Sequence, residues 1–212
     1  MNFLLFGSIA YLLGSIPSAV WIGKAWYNID VREHGSKNAG ATNTFRVLGK
    51  KAGKLVLFLD VIKGLLAVSL PVIFLEWKII DFGIVYPSDV IYLQITSAII
   101  AVLGHVFPIF ANFKGGKGVA TSLGVIIGIH PEAAGVCFLI FAIVFILSNY
   151  VSLGAICAAI SFPLALVYIF GVTNIGLILF SVLLGGSVIL AHKKNILRLL
   201  KGEESKMRFF KK

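Results

Sequence analysis

Three stretches of this chain combine residue types at spacings that can hold an oxyanion. The first runs Glu33-His-Gly-Ser-Lys-Asn-Ala-Gly-Ala-Thr-Asn-Thr-Phe-Arg46. Gly35 and Gly40 permit tight turns that present backbone N–H groups, and Ser36, Asn38, Thr42 and Asn43 add side-chain donors. Arg46 at the end of the run can close on an anion with two parallel N–H bonds. An ordinary polar loop would carry Ser, Gly and Lys without so dense a run of amides.

The second stretch is Gly104-His105-Val-Phe-Pro108 followed by Phe113-Lys114-Gly115-Gly116-Lys117-Gly118-Val-Ala-Thr121. A glycine turn that opens a helix, flanked by two lysines, offers N–H groups, a helix dipole and two ammonium groups to a phosphate. The G-x-x-x-x-G-K-[ST] spacing of a nucleotide-binding P-loop is absent. His105, alone on an apolar helix, reads as a structural residue.

The third stretch is His192-Lys-Lys-Asn195-Ile-Leu-Arg198, where the last apolar run ends. On a continuous helix His192, Asn195 and Leu199 would share one face. Leu197, Leu199, Leu200, Phe209 and Phe210 alternate with basic residues, a pattern suited to a lipid interface. Asn149 and Ser152, at a polar break between two apolar runs, are expected on the same side. Asp60 and Lys63 lie one turn apart inside an apolar run and are read as an ion pair near its basic end.

The elements that position these residues follow from composition. Of 212 residues, 58% are hydrophobic and 13% charged, too little polar surface to cover a water-soluble globule. Two Cys in apolar runs and 22 Gly without a three-residue period exclude a disulfide scaffold and a collagen. The chain reads as an integral membrane protein. Its net charge of +10 is therefore a matter of topology rather than nucleic acid. Basic residues cluster in 24–54, at Lys114 and Lys117, and in 193–212, while Glu76, Asp81, Asp89 and Glu132 fall in the gaps between them.

Apolar runs are predicted at 2–23 (interrupted at Gly14, Ser15 and Pro17), 54–75, 90–110, 119–129, 133–147, 151–170 and 174–191. Segment 24–53 is too polar for lipid, and 76–88 forms an acidic outer loop. The expectation is an all-α polytopic protein with seven transmembrane helices, that of 119–129 being short. The N-terminus lies outside, the C-terminus is cytoplasmic, and all three basic regions share the cytoplasmic face. Such short connections leave a single integral-membrane domain over residues 1–212. No carboxylate cluster or Cys-x-x-Cys suggests a metal, and no cofactor is expected.

Taken in order, Gly35-Ser-x-Asn-x-Gly-Ala-Thr-Asn43, Gly104-His-x-x-Pro108, Lys114-Gly-Gly-Lys-Gly-Val-Ala-Thr121 and His192-x-x-Asn195-Ile resemble the PlsY family of bacterial membrane acyltransferases. The resemblance extends from Gly14-Ser-Ile-Pro17 to Glu204. The family's third motif usually reads His-Arg-Glu-Asn-Ile; here Lys194 replaces the acid, while His192, Asn195 and Arg198 are kept. The resemblance implies transfer of an acyl group from acyl phosphate to the 1-hydroxyl of sn-glycerol 3-phosphate, giving lysophosphatidic acid, the first step of bacterial phospholipid synthesis. It implies catalytic roles for Ser36, Arg46, His192 and Asn195. Substrate binding falls to Asn38, Thr42, Lys114, Gly115, Gly116, Lys117, Gly118 and Ser152, with Lys114 on the phosphate and Glu204 structural.

The implied partners are the two substrates and membrane lipid, in the bacterial inner membrane. No His–carboxylate dyad is evident in the motifs, so the donor phosphate is the favoured acceptor of the hydroxyl proton over His192 or His105. The competing reading from the residues alone is a small transporter or channel for an anionic solute, whose site would lie near the bilayer midplane. Among other acyltransferases, the H-x₄-D signature is missing: none of His34, His105, His130 and His192 has Asp five residues on.

Overall fold

The structure is a computed structural model that describes residues 2–77 and 90–207. Most of the acidic outer loop, with Asp81 and Asp89, lies outside the described residues, as do Phe209 and Phe210 of the tail. All regular structure among the described residues is helical, and the chain divides into two compact units, Met1–Ile129 and His130–Lys212.

The first unit contains α1 (Asn2–Gly14), α2 (Ser18–Tyr27), α3 (Ala41–Val47), α4 (Lys50–Glu76), α5 (Val90–Val106) and α6 (Val119–Ile129). Pro17 has no N–H to continue a helix, so the first apolar run breaks between α1 and α2, with the Ser15 N–H closing on the Tyr11 carbonyl at 2.8 Å. Small residues let the backbones of this unit touch. A Cβ on Gly14 of α1 would meet the Ala101 carbonyl of α5, and one on Gly64 of α4 would meet the Thr121 carbonyl of α6. Close approach of this kind supplies packing where lipid offers no hydrophobic drive between helices. Ala10, Ala67 and Ala101 fill the resulting narrow core, with Phe6 and Phe74 edge-to-face at 5.6 Å.

Segment 24–53, read as too polar for lipid, folds in part into a 3₁₀ turn at Val31–Glu33 and then α3. Its buried Val31 packs with Ala19, Ile22, Ala52 and Val56, so the loop is anchored on α2 and α4.

The second unit contains α7 (Pro131–Ser148), α8 (Val151–Leu164, continued by a π turn over Ala165–Ile169), α9 (Ile175–Ala191) and α10 (Lys193–Leu200). The predicted turn at His130-Pro131-Glu132 is the start of α7. His130 accepts the Ala133 N–H at 3.3 Å, Pro131 occupies the first turn, and Glu132 adds a negative charge there. The helix stops at Asn149, whose N–H still bonds the Phe145 carbonyl while its left-handed φ of 62° turns the chain away. Asn174 caps α9 through the Leu177 N–H at 2.9 Å.

Five helical segments among the described residues are long and apolar enough to cross a membrane: Asn2–Tyr27, Lys50–Glu76, Val90–Ala111, Pro131–Ser148 and Val151–Ile169. A sixth is obtained if α9 and α10, bent by 59°, count as one. The run counted as the short helix, α6, has 11 residues. That is about 16 Å against a hydrocarbon core of roughly 30 Å. Its buried Thr121 and Gly124 lie against α4, where a Cβ on Gly64 would meet the Thr121 carbonyl and one on Gly124 the Val61 carbonyl.

Candidate active site

In the first motif, Asn43 is the fastening point. Its side chain is 1% exposed. Oδ1 accepts the Ser36 N–H at 2.8 Å, and Nδ2 donates to the carbonyls of Val31 at 2.7 Å and His34 at 3.1 Å. Gly35 has φ +58°, and a Cβ there would stand 2.5 Å from Asn43 Oδ1, so only glycine lets the loop fold this closely over the amide. Asn43 is not the donor for an anion that its residue type suggests; in the fold its amide is spent on the loop itself. Ser36 is thereby tied to Asn43, which lies one helical turn before Arg46 on α3, and both Ser36 and Arg46 are exposed. Thr42, in the first turn of α3, and Asn38, whose Oδ1 lies over Gly40, are half-buried.

The turn just before this loop supplies a further partner. Asp30 caps the Val31–Glu33 turn by accepting the Arg32 N–H, and its carboxylate takes two further bonds from the Arg32 guanidinium at 2.9 and 2.7 Å. Those hydrogen bonds from Arg32 hold the Asp30 carboxyl well below the usual carboxylate range, outweighing its burial. Arg32 Nη1 also donates to the Ala111 carbonyl at 2.8 Å. This contact joins the first-motif loop to the segment that leads into Lys114. An Asp two residues before an Arg is visible in the sequence, but no local pattern announces a bond to a carbonyl so far along the chain.

The glycine turn packs directly on the end of α5. The Gly115 N–H donates to Val106 O and the Gly116 N–H to His105 O, both at 3.2 Å. A Cβ on Gly115 would strike the His105 carbonyl, and one on Gly116 the His105 ring. Two of the N–H groups expected to face a phosphate are therefore committed to the backbone. Lys114 is exposed, Lys117 half-buried and Gly118 buried at the start of α6.

Beneath the turn lies a buried polar network. Asp60 and Lys63, 1% and 4% exposed, form an ion pair at 2.8 Å, as their spacing predicted. Ser18 Oγ donates to Asp60 at 3.1 Å, and Lys63 Nζ donates to the Ile16 carbonyl at 2.8 Å, serving the break between α1 and α2. Thr121 Oγ1 lies 3.1 Å from His105 Nδ1, which is 3.8 Å from Asp60 Oδ1. The motif residue His105 thus has a carboxylate neighbour in Asp60, which lies outside the motifs, although 3.8 Å is too long for a hydrogen bond and Asp60 is already paired with Lys63. A cavity of about 10 Å³, the scale of one water, touches Ser18, Ala39, Asp60, His105 and Gly116. It adjoins both motifs of this unit.

In the second unit, Glu204 gathers the third motif. Its Oε1 accepts Ser152 Oγ at 2.8 Å and Asn195 Nδ2 at 2.6 Å, and its Oε2 accepts Arg198 Nε at 2.7 Å. Burial pushes the carboxyl up, but the bonds from Asn195, Arg198 and Ser152 outweigh it and hold it below the ordinary glutamate value. The Ser152 hydroxyl hydrogen is spent on Glu204, so it is not available to donate to a substrate in this arrangement. The expected single helical face of His192, Asn195 and Leu199 is not formed. The chain turns by 59° at His192, which ends α9, and Asn195 belongs to α10. His192 Nδ1 lies 2.7 Å from the Val188 carbonyl. A carbonyl only accepts, so Nδ1 carries a proton.

Apolar helices of spanning length and polar loops rich in amides and cations define a multi-pass helical membrane protein. The glycerol-3-phosphate acyltransferase profile matches residues 4–202. A glycerol-3-phosphate acyltransferase of Fusobacterium nucleatum is 44% identical over 209 residues, covering 99% of this chain and 100% of the relative. One from Streptococcus pyogenes is 44% identical over 206 residues, covering 94% and 90%. Two crystal structures of PlsY (YgiH), an integral membrane glycerol 3-phosphate acyltransferase, share the fold over 98% of this chain and 96% of theirs. The glycerol 3-phosphate form has a TM-score of 0.84 at 37% identity, and the lysophosphatidic acid form 0.80 at 36%. The chain belongs to the glycerol-3-phosphate acyltransferase family, and is an integral membrane acyltransferase.

Proposed function

We propose that the chain moves the acyl group of acyl phosphate to the 1-hydroxyl of sn-glycerol 3-phosphate, releasing lysophosphatidic acid and inorganic phosphate. It does so in the bacterial inner membrane, with its reacting groups at the cytoplasmic face. The observation that most supports this is the joining, within the first unit, of the amide-rich loop to the glycine turn through Arg32 and Ala111. Residues 1–212 are proposed to act as one domain, since a relative of matching length aligns end to end. Seven crossings, counting α6, with the N-terminus outside, are supported by the seven apolar helical runs and by the clustering of basic residues.

In the reaction, the 1-hydroxyl oxygen attacks the acyl carbon, the bond from that carbon to the phosphate oxygen breaks, and the phosphate departs. The hydroxyl proton passes to an oxygen of the departing phosphate, so no acyl-enzyme is needed. Lys114 and Lys117 neutralise the phosphate of glycerol 3-phosphate, with N–H groups at the start of α6 in place of those of Gly115 and Gly116. Ser36 and Arg46, with Asn38 and Thr42 beside them, stabilise charge that grows on the carbonyl and leaving oxygens. Alignment of the hydroxyl at roughly 3–3.5 Å from the carbonyl carbon supplies much of the rate. His192 contributes its imidazole. Asn195, held through Glu204, adds an amide.

The test is incubation of purified protein with glycerol 3-phosphate and either acyl phosphate or acyl-CoA, with and without a chelator. Lysophosphatidic acid should form from acyl phosphate alone and should not depend on the chelator. Turnover confined to acyl-CoA, or lost on chelation and restored by Mg²⁺, would overturn the reading.

A further inference from the structure

The Ala111 carbonyl accepts two hydrogen bonds, from Arg32 Nη1 at 2.8 Å and from the backbone N–H of Lys114 at 3.2 Å. Between these residues the chain does something uncommon. Asn112 and Phe113 both adopt left-handed backbone, with φ of 54° and 57°. Asn tolerates that region, but a bulky residue such as Phe does so only when its surroundings hold it there. The Phe113 N–H closes onto the Pro108 carbonyl at 2.9 Å, and the Lys114 N–H onto Ala111, so the turn leading to Lys114 winds around a buried Ala111.

Arg32 is well suited to fix that carbonyl. Its Nε and Nη2 are bound to Asp30 in a two-point fork, which leaves the plane and direction of the guanidinium no freedom. Asp30 is itself tied to the Arg32 backbone N–H and paired with Lys24 at 3.3 Å. The third donor, Nη1, thus arrives at Ala111 from a fixed frame. We propose that Arg32, oriented by Asp30, is a positioning residue for Lys114: it fixes the turn that sets where the ammonium group stands. The proposal rests on the reading of Lys114 as the phosphate contact.

A residue that only stabilised the fold would reduce the amount of active protein. A positioning residue changes the affinity that Lys114 supplies. Arg32→Ala is therefore expected to raise the KM for glycerol 3-phosphate about five- to tenfold with little change in kcat. Arg32→Lys, which keeps the charge but loses the fork, should not restore it. Asp30→Asn, nearly the same shape, should raise the same KM about two- to threefold and gives a milder variant should Arg32→Ala fold poorly. The decisive comparison is a double-mutant cycle with Lys114→Ala. If Arg32 acts through Lys114, adding Arg32→Ala, Arg32→Lys or Asp30→Asn to Lys114→Ala raises KM less than twofold further. Full multiplication of the two effects would overturn the proposal, as would a wild-type KM in folded Arg32→Ala. Either result leaves the phosphate reading intact if Lys114→Ala alone raises KM. A wild-type KM in Lys114→Ala would overturn that reading, and this proposal with it.

Discussion

Asn43 Oδ1 accepts the backbone N–H of Ser36 at 2.8 Å, so a helix residue fixes the start of the loop that precedes it. The same amide donates to two carbonyls, and the side chain is almost fully buried. All three bonds require an amide, since a carboxylate cannot donate and a methyl group can do neither.

Asn43→Ala leaves one N–H and two carbonyls of the loop without this partner. Unsatisfied buried groups cost roughly 1–3 kcal/mol each, less where water enters. Asn43→Asp should be at least as damaging, because a carboxylate would face the Val31 and His34 carbonyls. Thermal unfolding in detergent should show a lower Tm for both, with activity lost in proportion. Wild-type Tm and activity in Asn43→Asp would show that the amide does not hold the loop.

Asp60 and Lys63 make a second prediction, since a buried ion pair behaves differently when one member or both are removed. Asp60→Asn or Lys63→Met leaves an uncompensated charge and should cost about 3–5 kcal/mol. The Asp60→Asn/Lys63→Met double variant removes both charges and should be more stable than the worse single variant. Denaturation of the three variants in one detergent checks this. A double variant that loses the sum of the two single effects would mean that the pair is not coupled as its 2.8 Å separation indicates.

The apolar runs, the break at Pro17, the turn at His130 and the Asp60–Lys63 pair were legible because each is local. Runs of hydrophobicity, a missing N–H and an i,i+3 spacing need no knowledge of the fold. The sites were legible only as residue types. Asn43 looks like one more donor until Val31 and His34 fold back over it. Ser152 looks like a substrate contact until Glu204, 52 residues away, takes its hydrogen. The continuous face expected for His192 and Asn195 assumed a straight helix, whereas the chain bends by 59° where polar residues replace the apolar run. Arg32 is legible only as a charge for the same reason: its partner Ala111 is 79 residues away and contributes only a carbonyl.

Glu204 gives the pH-dependent prediction. Its carboxyl is held below the ordinary glutamate value in the folded protein, because three donors favour the charged form over the opposition of burial. A depressed carboxylate contributes stability that is present above the unfolded value and lost as pH falls through the folded one. Wild-type Tm should therefore fall on acidification from about pH 5 downward. Glu204→Gln, which cannot ionise, should start from a lower Tm near neutrality and show a shallower acid dependence. Parallel Tm–pH curves for the two proteins would mean that Glu204 is not the group responsible.

Gly116 and His105 give the last prediction, and here the structure changes what a familiar substitution would test. A methyl group at position 116 would be expected to block a phosphate approaching the glycine turn. In the fold, the Cβ would instead land on the His105 imidazole, and the Gly116 N–H is already bound to the His105 carbonyl. Gly116→Ala should thus displace the turn from α5 and raise the glycerol 3-phosphate KM by moving Lys114 and Lys117. If the collision is the cause, shrinking the ring should relieve it. His105→Ala removes the imidazole and its contact with Thr121 at 3.1 Å, so that variant has a defect of its own. Adding it to Gly116→Ala should nevertheless bring KM back toward the value of His105→Ala alone, a negative coupling between neighbours. A KM in the double variant at or above the product of the two single effects would instead indicate that the added methyl meets the substrate, and that the glycine is there for the phosphate.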